Sequence, residues 1–158
     1  MVASIKIMDP VRYMEAPYRH PVARFDSPAK NVFSAAQQDA ERRGGKVLVS
    51  GLILYSAAKA GDNFSTALLE ALDTDLDTLN AAIDTEWAER SAWTQDQPFT
   101  VVKESFQGVA DESPPGAELH LLSLLVKMLE YPDSMASRVI KRMGVEPETL
   151  ARRLTSET

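Results

Sequence analysis

Apolar residues recur along this chain at helical spacing. Ala29, Val32, Phe33, Ala36 and Ala40 share one helical face. Ser27-Pro28 reads as the start of that helix, a capping hydroxyl followed by proline at the first helical position. Gly44-Gly45 ends it. Val47 to Ala60 is apolar nearly all round, which predicts a second, centrally placed helix. Gly61-Asp62-Asn63 is a turn, with Asp62 or Asn63 capping a third helix that turns Phe64, Leu68, Ala71 and Leu72 inward. Asp73 or Thr74 caps a fourth, striped by Leu76, Leu79 and Ile83 and running to about Arg90. No stretch shows the period-two alternation of a half-buried strand.

The same order then returns. Ser91 to Pro98 is polar and ends in proline, the best linker in the chain. A helix from Thr100 carries Val102, Phe106 and Val109, and a break follows from Asp111 to Gly116. An apolar helix is predicted from about Glu118 to Leu129. Pro132-Asp133-Ser134 makes a turn and cap before a helix with Met135, Val139, Ile140 and Met143 inward. Gly144 closes it, and Pro147 opens a last helix through Leu150 and Leu154. The stretch from Ala67 to Leu79 parallels that from Arg138 to Leu150, and Phe25 to Lys30 loosely parallels Phe99 to Glu104. Repetition on this scale is an architectural signal. It predicts an all-α fold, two four-helix repeats packed as a pseudo-two-fold bundle. Repeat one covers 25–91, the linker 92–98 and repeat two 99–156, in a domain of 25–158. Residues 1–24, with Pro10, Pro17 and Pro21, form an N-terminal extension. Leu52 and Leu124, central in the two apolar helices, are expected in the core.

Composition narrows the class. A chain of 158 residues can bury a real core. Without cysteine it has neither disulfides nor thiolate metal ligands, which fits a reducing compartment. The net charge of -6 argues against nucleic acid as partner and mildly favours basic or neutral ones. Val47 to Ala60 is too short to span a membrane, and Asp9, Pro10 and Arg12 break any signal-like run. A cytoplasmic protein is expected, with no membrane association.

Several motifs, in order and twice over, carry a family likeness. Arg24-Phe25-Asp26 precedes Ala36-Gln37-Gln38-Asp39-Ala40; Pro98-Phe99-Thr100 opens the second half; Ala136-Ser137-Arg138-Val139-Ile140-Lys141-Arg142-Met143-Gly144-Val145 comes later. Together they resemble the N-terminal domain of Clp unfoldases of the ClpA and ClpC type, over residues 25 to about 156. The family's second helix opens Thr-Glu-His. Ser50-Gly51-Leu52 replaces this in the first repeat, and in the second Glu118 and His120 are separated by Leu119. In some members glutamates there help bind phosphorylated arginine, a role Gly51 cannot fill. The resemblance implies a non-catalytic module for substrate, adaptor or peptide-like ligands, acting as adaptor, competitor or decoy for a Clp unfoldase. Its site residues would be Phe25, Phe99, Pro98 and Glu118. In the family the two phenylalanines approach each other across the pseudo-two-fold, and here they are expected to floor a shallow apolar site. The supporting positions read Glu104 and Gly108, unlike the relatives. The alternatives are a regulatory subunit docking onto a Clp ATPase-protease, and an enzyme on a helical scaffold.

Candidate chemistry is sparse. The chain ends at Thr158 without a Gly-rich phosphate loop, so a free-standing domain with no ATPase and no cofactor is expected. His120 reads as a packed or rim residue of an apolar helix. Asp73, Asp75 and Asp77 alternate as in some calcium loops. Thr78 and Asp84 stand where an EF-hand needs glycine and glutamate, so no metal site is expected. Glu86, Glu89 and Arg90 read as helix-surface charges. Phe25 and Phe99 have a plainer reading too, as hydrophobic staples of the helices they precede.

Overall fold

Eight α-helices carry most of the residues that the structure, a computed structural model, describes: 22–45, 48–89 and 99–156, the side chains of 99–101 excepted. No strand occurs among them; the single bridge outside the helices joins Phe25 and Leu119 in parallel. The described residues form an all-helical structure, as the periodicity predicted. The proposed linker, Pro98, and all of the extension up to Pro21 lie outside the described residues.

Helix α1 (Ser27–Arg42) is capped by Asp26, whose Oδ1 accepts from the Ala29 N–H at 3.0 Å. The cap is therefore one residue earlier than Ser27, and Pro28 falls within the first turn, where a missing N–H costs nothing. At its end Gly44 takes φ 81° and the Gly45 N–H returns to the Ala40 carbonyl at 2.8 Å. Helix α2 (Ser50–Lys59) starts three residues later than the apolar run suggests: Leu48 and Val49 are buried core residues outside it, and Val49 is its extended cap residue. Helix α3 (Asn63–Leu72) has a reciprocal capping box between Asp62 and Ser65. Asp73, with φ 54° and ψ 49°, terminates it. The cap of α4 (Leu76–Glu89) is then Asp75, which accepts from the Thr78 N–H at 2.8 Å, rather than Asp73 or Thr74.

In the second half, α5 (Phe99–Asp111) leads through the proline-rich loop to α6 (Leu121–Leu129). His120 precedes α6 as its extended cap residue and is not part of the helix. Ser134 caps α7 (Met135–Arg142) by accepting from the Ser137 N–H at 3.1 Å. Gly144 at φ 82° separates it from α8 (Pro147–Ser156).

One continuous core unites the halves. Helix α2 packs on α1, α3 and α4 and crosses α7, while α6 packs on α5, α7 and α8; α4 also meets α7, and α3 meets α8. Leu52 and Leu124 are fully buried. Two contacts set the α2–α7 crossing. The Ala136 N–H donates to Ser50 Oγ at 3.0 Å. A Cβ built at Gly51 would lie 2.5 Å from Met135 Cγ, so only glycine admits the methionine there. Val22 is fully buried as well, so the domain begins before residue 25.

Glu86 is not a surface charge. It is only 2 % exposed, and Arg142 of α7 donates Nε to its carboxylate at 2.8 Å and also pairs with Glu89. The α4–α7 contact covers the carboxylate, and burial of an ion demands such a partner. Just past α1, Arg43 similarly bridges Asp39 and Asp84 at 3.1 and 2.8 Å and lies over the Trp87 ring. No helix among the described residues is long and apolar enough to cross a membrane.

Candidate functional site

Where the chain enters α1, it pairs with the segment entering α6. The Leu119 N–H donates to the Arg24 carbonyl at 2.9 Å, and the Asp26 N–H donates to the Leu119 carbonyl at 3.1 Å. Extended backbone sends successive side chains to opposite sides. Phe25 and Leu119 go inward, each 2 % exposed. Phe25 meets Phe33 of α1 at 5.3 Å and Phe106 of α5 at 5.4 Å, and those two rings stand 5.0 Å apart, all edge-to-face. Each such pair adds about 0.5–1.5 kcal/mol beyond area burial. The three rings thus lock the two halves together under the bridge.

Asp26, Glu118 and His120 lie on the other side. Asp26 Oδ2 and His120 Nδ1 are 2.8 Å apart, and the two side chains are 24 % and 60 % exposed. One ligating atom from each of the three residues lies within 4.8 Å of those of the other two. Arg24 does not join them. Its guanidinium donates to the Ala117 carbonyl at 3.0 and 3.2 Å and to the Pro114 carbonyl at 3.0 Å, which fastens the loop before α6. Among the described residues Glu118 is exposed and its carboxylate takes no hydrogen bond or ion pair. Both segments run into helix N-termini, whose unpaired N–H groups favour negative charge nearby. The arrangement offers carboxylate acceptors and an imidazole on a rigid, solvent-facing edge.

Of the residues singled out from sequence, Phe25 and Glu118 are brought together, one below the edge and one on it. The Phe25 ring is packed into the core and offers no exposed apolar floor. Pro98 and the side chain of Phe99 lie outside the described residues. Glu104 and Gly108, which do not match the supporting residues of the relatives, are engaged in packing. Glu104 accepts from the Tyr131 hydroxyl at 3.2 Å. A Cβ built at Gly108 would lie 3.3 Å from the Lys127 side chain, whose ammonium is held by Glu112, a bond that raises the lysine pKa. Gly51 sits under Met135 at the crossing of α2 and α7.

No protein-family model and no curated protein matches this chain.

Sequence reasoning missed Asp26 and His120 as a pair. The two are 94 positions apart, and no local pattern announces a contact at that distance. The only usable signal was the spacing of Glu118 and His120, since residues two apart in extended backbone share a face.

A second concave surface lies between α6, the turn before α7 and α8, with a volume of about 530 Å³. Val126, Leu129, Pro147 and Ala151 supply its apolar lining, and Lys141, Arg152, Glu146 and Glu148 give it mixed charge. It shares no residue with the bridge.

Proposed function

We propose that this protein is a non-catalytic binding module of the Clp N-domain kind, which recognises protein segments or peptide-like ligands at the edge formed by 24–26 and 118–120. The observation that carries the reading is the correspondence between the two halves. Val49 and His120 precede the apolar helices with matching extended dihedrals, φ -124° and -125°, both with ψ 153°, and neither makes a side-chain cap. Asp62 and Ser134 cap the helices that follow. Those helices end alike, with Asp73 and Gly144 left-handed and the next N–H returning five residues, Thr74 to Leu69 at 3.1 Å and Val145 to Ile140 at 3.2 Å. Of these, Asp73 and Gly144 also align in the sequence, and together the matches support two copies of one four-helix unit about a pseudo-two-fold axis.

In this reading the ring cluster under Phe25 holds the edge rigid, and Glu118 and Asp26 give it negative character. Carboxylates on a preorganised edge suit a segment carrying a basic side chain, in line with the acidic chain as a whole. A chain without a phosphate-loop motif lacks the usual nucleotide cradle, and its sequence presents no acid, base and nucleophile set, so we read it as neither ATPase nor protease. We place it in the cytoplasm, where a Clp ATPase or its adaptors would be available.

Fluorescence anisotropy with unstructured peptides of equal length and basic, neutral or acidic composition tests the proposal. Basic peptides should bind best, and Glu118→Lys should weaken them at least about tenfold with helicity unchanged, since reversing a charge at an interface rim costs affinity. Equal affinity of wild type and variant would refute the assignment of this edge. Saturable capture of a purified Clp ATPase with no peptide binding would favour the regulatory-subunit reading instead.

A further inference from the structure

Two carboxylates and an imidazole converge on the edge described above, and their chemistry reaches beyond peptide recognition. We propose that Asp26, Glu118 and His120 form a binding site for a divalent transition-metal ion of the zinc, cobalt or nickel class. Their ligating atoms already lie within 4.8 Å of one another. Around a zinc ion, with bonds of about 2.0–2.2 Å, tetrahedral ligand atoms stand about 3.4 Å apart. The difference, at most about 1.4 Å by these bond lengths, is within reach of the exposed Glu118 and His120 side chains, which can turn about χ1 and χ2.

The backbone beneath needs no adjustment. Parallel hydrogen bonds at 2.9 and 3.1 Å fix the two segments, and the inward Phe25 and Leu119 anchor them. Asp26 and His120 are also the cap residues of α1 and α6, so each ligand rises from the rigid base of a helix. Asp26 Oδ1 is held by the Ala29 N–H at 3.0 Å, which orients the carboxylate and leaves Oδ2 as the ligating oxygen. That is the outer-sphere support ligating carboxylates commonly have. Without metal, Oδ2 rests on His120 Nδ1; a bound ion takes the place of the shared hydrogen between them. Among the described residues Glu118 gives up no hydrogen bond or ion pair when it turns toward the ion.

The donor set decides the class of ion. Imidazole suits zinc, nickel and copper, whereas calcium and magnesium prefer oxygen alone, and the absence of thiolate or thioether disfavours copper(I). Three protein ligands leave a coordination position open to water. This site does not depend on the peptide-binding reading, although the two share Glu118 and Asp26.

Isothermal titration of the full chain with zinc chloride, and visible absorption spectra with cobalt chloride, test the proposal without peptide present. Wild type should bind one equivalent, with a cobalt spectrum of low coordination number. His120→Ala and Glu118→Gln should each weaken binding at least about tenfold, since even outer-sphere partners are worth 10–100-fold. Because both side chains are exposed, metal-free thermal unfolding of the variants should match wild type, and a matching melt confirms that lost binding is not lost folding. His20→Ala, which removes the chain's other histidine, should leave binding intact. No saturable binding by wild type, affinity unchanged in His120→Ala, or binding lost only with His20→Ala would each overturn the site. Absence of metal binding with basic-peptide affinity retained would refute the metal site and leave the peptide reading standing.

Discussion

Replacing Gly51 by alanine should destabilise the protein only while Met135 is present. Gly51 is the second residue of α2, at the crossing with α7. A methyl group there would stand 2.5 Å from Met135 Cγ, 2.6 Å from its sulfur and 3.1 Å from its Cβ. The thioether end can swing away, but the Cβ is fixed to the first residue of α7. That helix is also tied to α2 through the Ala136 N–H on Ser50 Oγ. Overpacking of this kind costs about 1–3 kcal/mol. Against it, alanine in place of a helical glycine contributes about 0.5–1 kcal/mol. The net expectation for Gly51→Ala is a loss of about 1–2 kcal/mol. Met135→Ala alone should cost about 2–5 kcal/mol, the usual range for a buried methionine. In that background the clash is gone, and Gly51→Ala should become stabilising by about 0.5–1 kcal/mol. Urea denaturation of the four proteins gives the coupling from midpoints at constant slope. If Gly51→Ala stabilises wild type as much as it stabilises Met135→Ala, the close crossing of α2 and α7 is wrong.

Three further outcomes follow from other contacts. Arg142→Ala should cost about 1.5–3 kcal/mol, the range for a hydrogen bond to a charged group, because it strips the buried Glu86 carboxylate of its guanidinium; adding Glu86→Gln should recover part of that loss, and Arg138→Ala, whose partner Asp133 is exposed, should change chemical-denaturation stability by less than about 1 kcal/mol. Asp73→Gly should raise stability by about 0.5–1 kcal/mol in the same assay, since it removes a left-handed non-glycine residue and a negative charge at a helix C-terminus, where Gly144 already stands in the other half. The Thr78 N–H holds the Asp75 carboxyl below its ordinary pKa of 3.8. A carboxyl depressed in the folded state stabilises above its unfolded value and loses that contribution as pH falls through the folded one. NMR titration should therefore show Asp75 ionising below 3.8, and Asp75→Ala should flatten the acid limb of the stability curve; an undisplaced titration would remove the cap from the argument.

The helices and most of their ends follow from the sequence, because the forces that set them act over a few residues. The i, i+3 and i+4 apolar spacing of Ala29 to Ala40, the Asp62 cap and the left-handed Gly144 are local signals, and the structure places each where its chemistry requires. Misplaced boundaries had local rivals. Asp26 outcompeted Ser27 for the α1 amide, and Asp75 outcompeted Asp73, whose backbone had already turned left-handed. What only the tertiary structure decided was burial and encounter. Glu86 reads as a surface charge by composition, yet α7 covers it and supplies Arg142. Phe25 reads as a surface aromatic by analogy, yet Phe33 and Phe106 enclose its ring. Gly51 looks like a mere substitution in a motif, but its missing side chain is the space that Met135 occupies. Asp26, Glu118 and His120 become neighbours only because one parallel bridge joins segments more than ninety residues apart. Local propensity carries no information on that pairing; it emerges when the two halves close on a common core, whose apolar surface neither half can bury alone.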